Sequence, residues 1–153
     1  AHEARQRKMP VHVVAVEKSE AAHEWLAKNI SRHDVDVRVI KSDVAQALEG
    51  VKCDLVVANP PYVPNSVVLP DLVSTNEPHE ALYGGANNGL DLPTLFIAAA
   101  TRLLKPGGFL ILEHFENQSA LLESELSPHY SDISHYTDLN QRPRWMTARR
   151  KGE

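Results

Sequence analysis

Cysteine is nearly absent from this chain: Cys53 stands alone among 153 residues. An internal disulfide is thereby excluded, and a reducing compartment, the cytoplasm, is the expected setting. Long apolar runs are missing too. Residues 95–100 form one of the longest, far short of the roughly 20 needed to cross a bilayer. Residues 1–8 are charged, with no apolar stretch behind them, so no secretory leader is expected. There is no basic excess: the formal net charge is -4. That argues against a domain that grips nucleic acid unaided. Metal-ligand spacings are absent from the pattern of eight histidines. His23-Glu24 comes nearest, but Ala27 stands where a second histidine would be required, so no metal site is expected.

What remains is an ordinary globular composition, 42% apolar, in which strand and helix patterns alternate. Residues 1–8 read as the end of a helix stopped by Pro10. Residues 11–16 read as a β-branched strand ending at Glu17. Ser19 is a plausible cap for a helix over residues 20–30, whose apolar stripe is Ala22, Trp25, Leu26 and Ile30, with Trp25 expected in the core. A strand over 35–40, interrupted by Asp36 and Arg38, has the look of a sheet edge. It leads to Asp43, expected to cap a short helix over 44–48. A helix over 91–104, a stop at Lys105-Pro106-Gly107-Gly108, a strand over 109–112 and a helix over 117–126 follow. Two closing antiparallel strands, 129–135 and 145–150, end the pattern. The cluster Arg142, Arg144, Arg149, Arg150 and Lys151 reads as a solvated edge. This alternation predicts an α/β sheet, mostly parallel, with a C-terminal antiparallel hairpin.

One stretch carries chemistry. Residues 53–58 form a short run, apolar apart from Asp54, that ends at Asn59-Pro60-Pro61-Tyr62. Such a run reads as a buried parallel strand covered by helices on both faces. Its carboxyl end is where open α/β sheets bind ligands. Two prolines fix φ at consecutive positions and remove two donors, and Asn59 is held extended by the proline after it. The loop then offers a side-chain amide, free carbonyls and an aromatic ring to a planar NH2 group. A rigid turn with Asn59 bonded to its own backbone remains the alternative. Beyond it, residues 63–89 make a long, proline- and glycine-rich connection of the kind that serves as a binding loop. Within it, Glu77 could orient a substrate or fasten the loop down.

The Asn59-Pro60-Pro61-Tyr62 motif resembles that of methyltransferases acting on amino groups. Taken with Glu17, Asp43, Asn76-Glu77-Pro78, Ala81-Leu82, Gly84-Gly85, Lys105-Pro106-Gly107-Gly108, Leu112-Glu113-His114 and Arg142-Pro143-Arg144, it resembles the HemK/PrmC family. These are the N5-glutamine methyltransferases of bacterial peptide-chain release factors. The resemblance implies a class I, Rossmann-like sheet and S-adenosylmethionine (SAM) as cofactor. It implies that Glu17 binds the SAM ribose and that Asp43 with Val44 meets the adenine. Asn59 and the Pro60 carbonyl would hold a glutamine amide, with Pro61, Tyr62 and Glu77 completing the substrate side and a release factor as partner. The family's glycine-rich loop, its first strand and its helical N-terminal domain have no counterpart in residues 1–153. The chain is therefore expected to be a partial catalytic domain, inactive by itself. Methyltransferases of adenine N6 or guanine N2, and an inactive interaction module of the same fold, are the alternatives.

Overall fold

Ser19 opens the first long helix as its position suggests: its hydroxyl accepts the Ala22 amide proton across 3.4 Å, satisfying one of the orphan donors of a helix start. In the computed structural model, which describes residues 1–152, the elements run α1 (His2–Gln6), β1 (Val13–Glu17), α2 (Glu20–His33), β2 (Val37–Lys41), β3 (Cys53–Ala58), α3 (Asp71–Ser74), α4 (His79–Leu82), α5 (Ala86–Gly89), α6 (Asp91–Leu103), β4 (Leu104–Glu113), α7 (Ser119–Leu126), β5 (Tyr130–Thr137) and β6 (Pro143–Arg150). They divide into two units, residues 1–47 and the chain from Leu48 onward. Among the described residues no helix is long and apolar enough to cross a membrane.

In the first unit β1 and β2 pair in parallel, from Val13 opposite Val37 to Glu17 opposite Lys41, and α2 packs on them. Two strands and one helix bury little. Among residues 1–47 only Ala47 is fully buried. Trp25 is not in a core; it is 65% exposed, with the Lys28 ammonium 4.6 Å from the ring centroid. At 100° per residue Trp25 lies about 140° around the helix from Ile30. The narrow sheet covers Leu26 and Ile30 and leaves Trp25 at the flank. The expected helix over 44–48 is a set of turns instead. Asp43 does cap it, accepting from the Ala45 amide at 3.0 Å. Leu48 then takes φ 58° and Gly50 φ 74°, left-handed values that a helix cannot continue through.

The second unit is a four-stranded sheet in the order β3-β4-β6-β5. β3 and β4 are parallel, whereas β6 runs antiparallel to both β4 and β5. Counting the β1–β2 pair, parallel and antiparallel pairings are equal in number, not mostly parallel, because the closing hairpin contributes two strands to the sheet. Strand alternation decides what is buried. Ala58, Leu110, Leu112, Met146 and Ala148 face Ile97 and Ala100 of α6 and Leu122 and Leu126 of α7 in one cluster. Leu55, Val57 and Phe109 occupy the opposite face, where Val57 is 68% exposed. The expectation of helices on both faces fails here, since α6 and α7 both pack on the same one. Two ring contacts lie on this second face: the Arg149 guanidinium sits 4.1 Å from the Phe109 centroid, and Tyr136 stacks on Trp145 at 3.9 Å.

Candidate active site

The parallel register of β3 and β4 ends at Ala58 opposite Leu112. Asn59 and Glu113 therefore stand at neighbouring strand ends, Asn59 just past β3 and Glu113 as the last residue of β4. Pro60 is fully buried and anchors the turn, while Asn59 is exposed. Among the described residues neither the Asn59 amide nor the Pro60 carbonyl has a hydrogen-bond partner. The self-bonded turn is thus not what Asn59 forms. The exposed Asn59 amide, carried on the buried Pro60, is able to accept from a ligand NH2.

That support is built from three other segments. The Leu82 carbonyl accepts from the Tyr62 and Val63 amides at 3.1 and 2.9 Å, and the Val63 carbonyl accepts from the Gly84 amide at 3.0 Å. This is the isolated bridge between Val63 and Tyr83. Glycine is required twice. A Cβ on Gly89, at φ 74°, would stand 2.5 Å from the Tyr62 carbonyl oxygen, and a Cβ on Gly84 would overlap the Gly89 carbonyl. Asn87 and Asn88 hold left-handed φ values of 53° and 56° to bring Gly89 there. Asp91 steadies that turn, accepting from the Ala86 amide at 2.8 Å and from the Asn87 side chain at 2.7 Å. The third support is Gln118, wholly buried. Its Nε2 donates to the Tyr62 carbonyl at 2.9 Å and to the Asn88 carbonyl at 2.7 Å, and its Oε1 accepts from the Phe115 amide at 2.9 Å.

Tyr62 is half-buried, and its hydroxyl donates to Glu113 Oε1 at 2.7 Å. Burial first, then the Glu113 carboxylate beside it, raises the phenol pKa above its ordinary value, so the hydroxyl keeps its proton. The Arg144 guanidinium faces the same hydroxyl and donates to Asp138 Oδ2 at 3.3 Å. The basic cluster is a solvated edge only at Arg142 and Lys151, which are exposed; the other three arginines are partly buried and bonded. Arg144 serves this cluster, Arg149 donates to Asp132 and to the Gly107 carbonyl, and Arg150 donates to the Thr101 and His129 carbonyls. Beside Glu113, His114 is fully buried. Its Nδ1 lies 2.8 Å from the Phe115 carbonyl and must donate to it. Its Nε2 has no partner. Desolvation holds this imidazole below its ordinary pKa, hence neutral.

In the first unit Glu17 and Asp43 sit at the carboxyl ends of adjacent parallel strands, with the Ser42 amide donating to the Glu17 carbonyl at 3.1 Å. Glu17 Oε1 accepts from the Ser19 amide at 2.7 Å. Asp43 uses Oδ1 for Ala45 and pairs Oδ2 with Lys18 at 2.9 Å. The bond from Ala45, followed by that from Lys18, keeps the Asp43 carboxyl below the usual range and ionised. Each carboxylate oxygen retains a second lone pair. Two acceptors on strands about 4.8 Å apart fit the hydroxyls of a ribose and the amino group of its base, with Val44 next in line at the turn. Glu77 stands outside both groups: it is exposed between α3 and α4, its carboxylate without a partner among the described residues.

Three of the residues that shape this site had little or no signal in the sequence. Glu113 belongs to a motif of the resemblance but carried no role there. Arg144 likewise sits in a motif of the resemblance, Arg142-Pro143-Arg144, but by itself looked like one charge in a run. Gln118 is a lone polar residue ahead of a helix, and only its burial shows what it does.

Comparison with known proteins bears on the fold and the relatives of the chain. Residues 1–75 match the family model described as "Methyltransferase small domain". The release factor glutamine methyltransferase of Streptomyces coelicolor is 38% identical over 146 residues, which are 90% of this chain and 50% of that protein. That of Mycobacterium tuberculosis is 30% identical over 151 residues, 94% of this chain and 48% of that protein. The crystal structure of TrmN from Thermus thermophilus superposes with a TM-score of 0.67 at 21% identity, covering 97% of this chain and 40% of that one. The chain has the class I methyltransferase fold, its curated relatives are release factor glutamine methyltransferases, and it spans about half the length of each of those quoted.

Proposed function

We propose that this chain forms part of a SAM-dependent enzyme that methylates the side-chain amide nitrogen of a glutamine in a peptide-chain release factor. It would act within a polypeptide of its relatives' length, because it corresponds to about half of them. The observation that carries the reading is the exposed Asn59 side-chain amide, without a partner among the described residues, at the carboxyl end of β3 on a loop held from behind by Leu82 and Gln118.

SAM, when bound, supplies a methyl group on a sulfonium. Glu17 would accept from its ribose, and Asp43 with Val44 would meet its adenine. An amide nitrogen is a poor nucleophile because its lone pair is delocalised. Asn59, with the Pro60 carbonyl that the resemblance puts beside it, would accept hydrogen bonds from its two N–H groups, hold it in one orientation, and stabilise the positive charge that grows on it. That charge grows as the N–CH3 bond forms and the sulfonium S–CH3 bond breaks, its electron pair staying on sulfur. The methylated nitrogen then loses one proton to solvent. Tyr62 presents its ring, Pro61 stiffens the turn, and Glu77, exposed on the adjoining connection, contacts the release factor. The location that goes with this substrate is the cytoplasm, in keeping with the free Cys53.

The test is a methylation assay with labelled SAM, offering a release factor, RNA and DNA to a polypeptide of the relatives' length that carries this chain. Label on a release-factor glutamine is expected. Label on nucleic acid alone would replace this reading with an amino-base methyltransferase.

A further inference from the structure

Tyr62 is restrained at every polar atom it has. Its amide donates to Leu82 and its carbonyl accepts from Gln118. Its single phenolic proton goes to Glu113 Oε1 at 2.7 Å, and the Arg144 guanidinium lies near enough for the two groups to interact. Glu113 and Arg144 come from the ends of two antiparallel strands locked in register. Glu113 is paired with Trp145, and the His114 amide donates to the Arg144 carbonyl at 2.9 Å. Asp138 holds the far side of the guanidinium, with only about a quarter of either side chain exposed. A carboxylate and a guanidinium brought partly out of water are an expensive way to pin a ring if packing alone is the purpose; an apolar contact would serve as well. What the polar latch adds is orientation: it fixes the ring about both side-chain torsions while the residue stays partly accessible.

We propose that Glu113 and Arg144 are positioning residues that act through Tyr62, setting the ring against which the planar acceptor amide is held. The inference rests on the function proposed above. Such a latch affects the transfer step and leaves cofactor binding alone, because neither residue belongs to the Glu17 and Asp43 strand ends.

The experiment is a double-mutant cycle on methyl transfer to a release-factor glutamine, in a polypeptide of the relatives' length. Glu113→Ala is expected to lower kcat about tenfold, the size expected for one charge-assisted hydrogen bond, with the KM for SAM unchanged. Glu113→Gln, which keeps an acceptor for the hydroxyl, recovers most of the loss. With Tyr62→Phe already present, Glu113→Ala costs nothing further. Spectrophotometric titration of the tyrosines should show one phenol returning toward its ordinary pKa in Glu113→Ala. Equal losses from Glu113→Ala in both backgrounds, or a lower unfolding midpoint with kcat intact, overturn the inference alone. An unmutated polypeptide that methylates no glutamine overturns the functional reading and this inference with it.

Discussion

The buried side-chain amide of Gln118 donates to the main-chain carbonyl of Tyr62 at 2.9 Å. That bond joins the start of α7 to the loop that follows β3. The same NH2 group bonds the Asn88 carbonyl, and the side-chain oxygen takes the Phe115 amide. Three segments distant in sequence thus share one glutamine, and the acceptor loop is rigid because of it.

Gln118→Leu keeps the volume and strands two carbonyls and one amide in a dry site. Each buried unsatisfied group costs about 1–3 kcal/mol, and some will relax toward water. A loss of roughly 2–4 kcal/mol on the same scale is expected from urea unfolding. A loss under about 0.5 kcal/mol, the size of an ordinary surface substitution, would show the network to be dispensable.

Gly89 and Gly107 have nearly the same backbone, φ 74° and 79°, in different surroundings. Nothing lies within 4 Å of a Cβ on Gly107, whereas one on Gly89 meets the Tyr62 carbonyl. Gly107→Ala should cost only the left-handed penalty of about 1 kcal/mol. Gly89→Ala should cost clearly more and also displace the Tyr62 carbonyl. The comparison is made by thermal unfolding, with loss of methyl transfer as the second reading for Gly89→Ala only.

His114 makes stability depend on pH. Its folded pKa lies below the ordinary imidazole value because burial penalises the cation. The unfolded chain therefore binds the proton first. The contribution is fully present above the unfolded pKa of about 6.5 and declines as pH falls below it, until the folded pKa is reached. In unfolding measured from pH 8 to pH 5, His114→Asn should show a shallower slope than the parent over the acidic half. Parallel slopes would mean that His114 titrates normally.

Asn59→Ala should separate catalysis from cofactor binding. Removing one preorganised acceptor at a developing charge costs about 10²–10³ in rate. SAM affinity by calorimetry should change less than about twofold, since only its strand-end partners Glu17 and Asp43 are asked to supply it. Loss of SAM binding instead would move Asn59 to the donor side.

For Glu17, a charge-neutral swap is the informative change. Glu17→Gln preserves an acceptor for the Ser19 amide, so α2 keeps its start. It also loses half of its capacity to accept from a diol. SAM affinity is expected to fall about tenfold, the worth of a hydrogen bond to a charged group, with the unfolding midpoint unchanged.

Short-range signals determined much of this protein from the sequence by itself. Ser19 as a cap, the closing hairpin, and Asn59 at a strand's carboxyl end all follow from propensities and spacing within a few residues, and the structure has them where the pattern put them. The motif order and the relatives point to the same chemistry. The tertiary structure decided the rest, because burial is set by what packs opposite. Trp25 is apolar yet exposed, since a two-stranded sheet is too narrow to reach it. Leu55 and Val57 look like core and face outward, since the two long helices of their unit pack on the other side. Arg144 and Gln118 look like surface and hold the site together. Their partners, Tyr62 and Asp138 for one, Tyr62, Asn88 and Phe115 for the other, become neighbours only once strands and loops have closed.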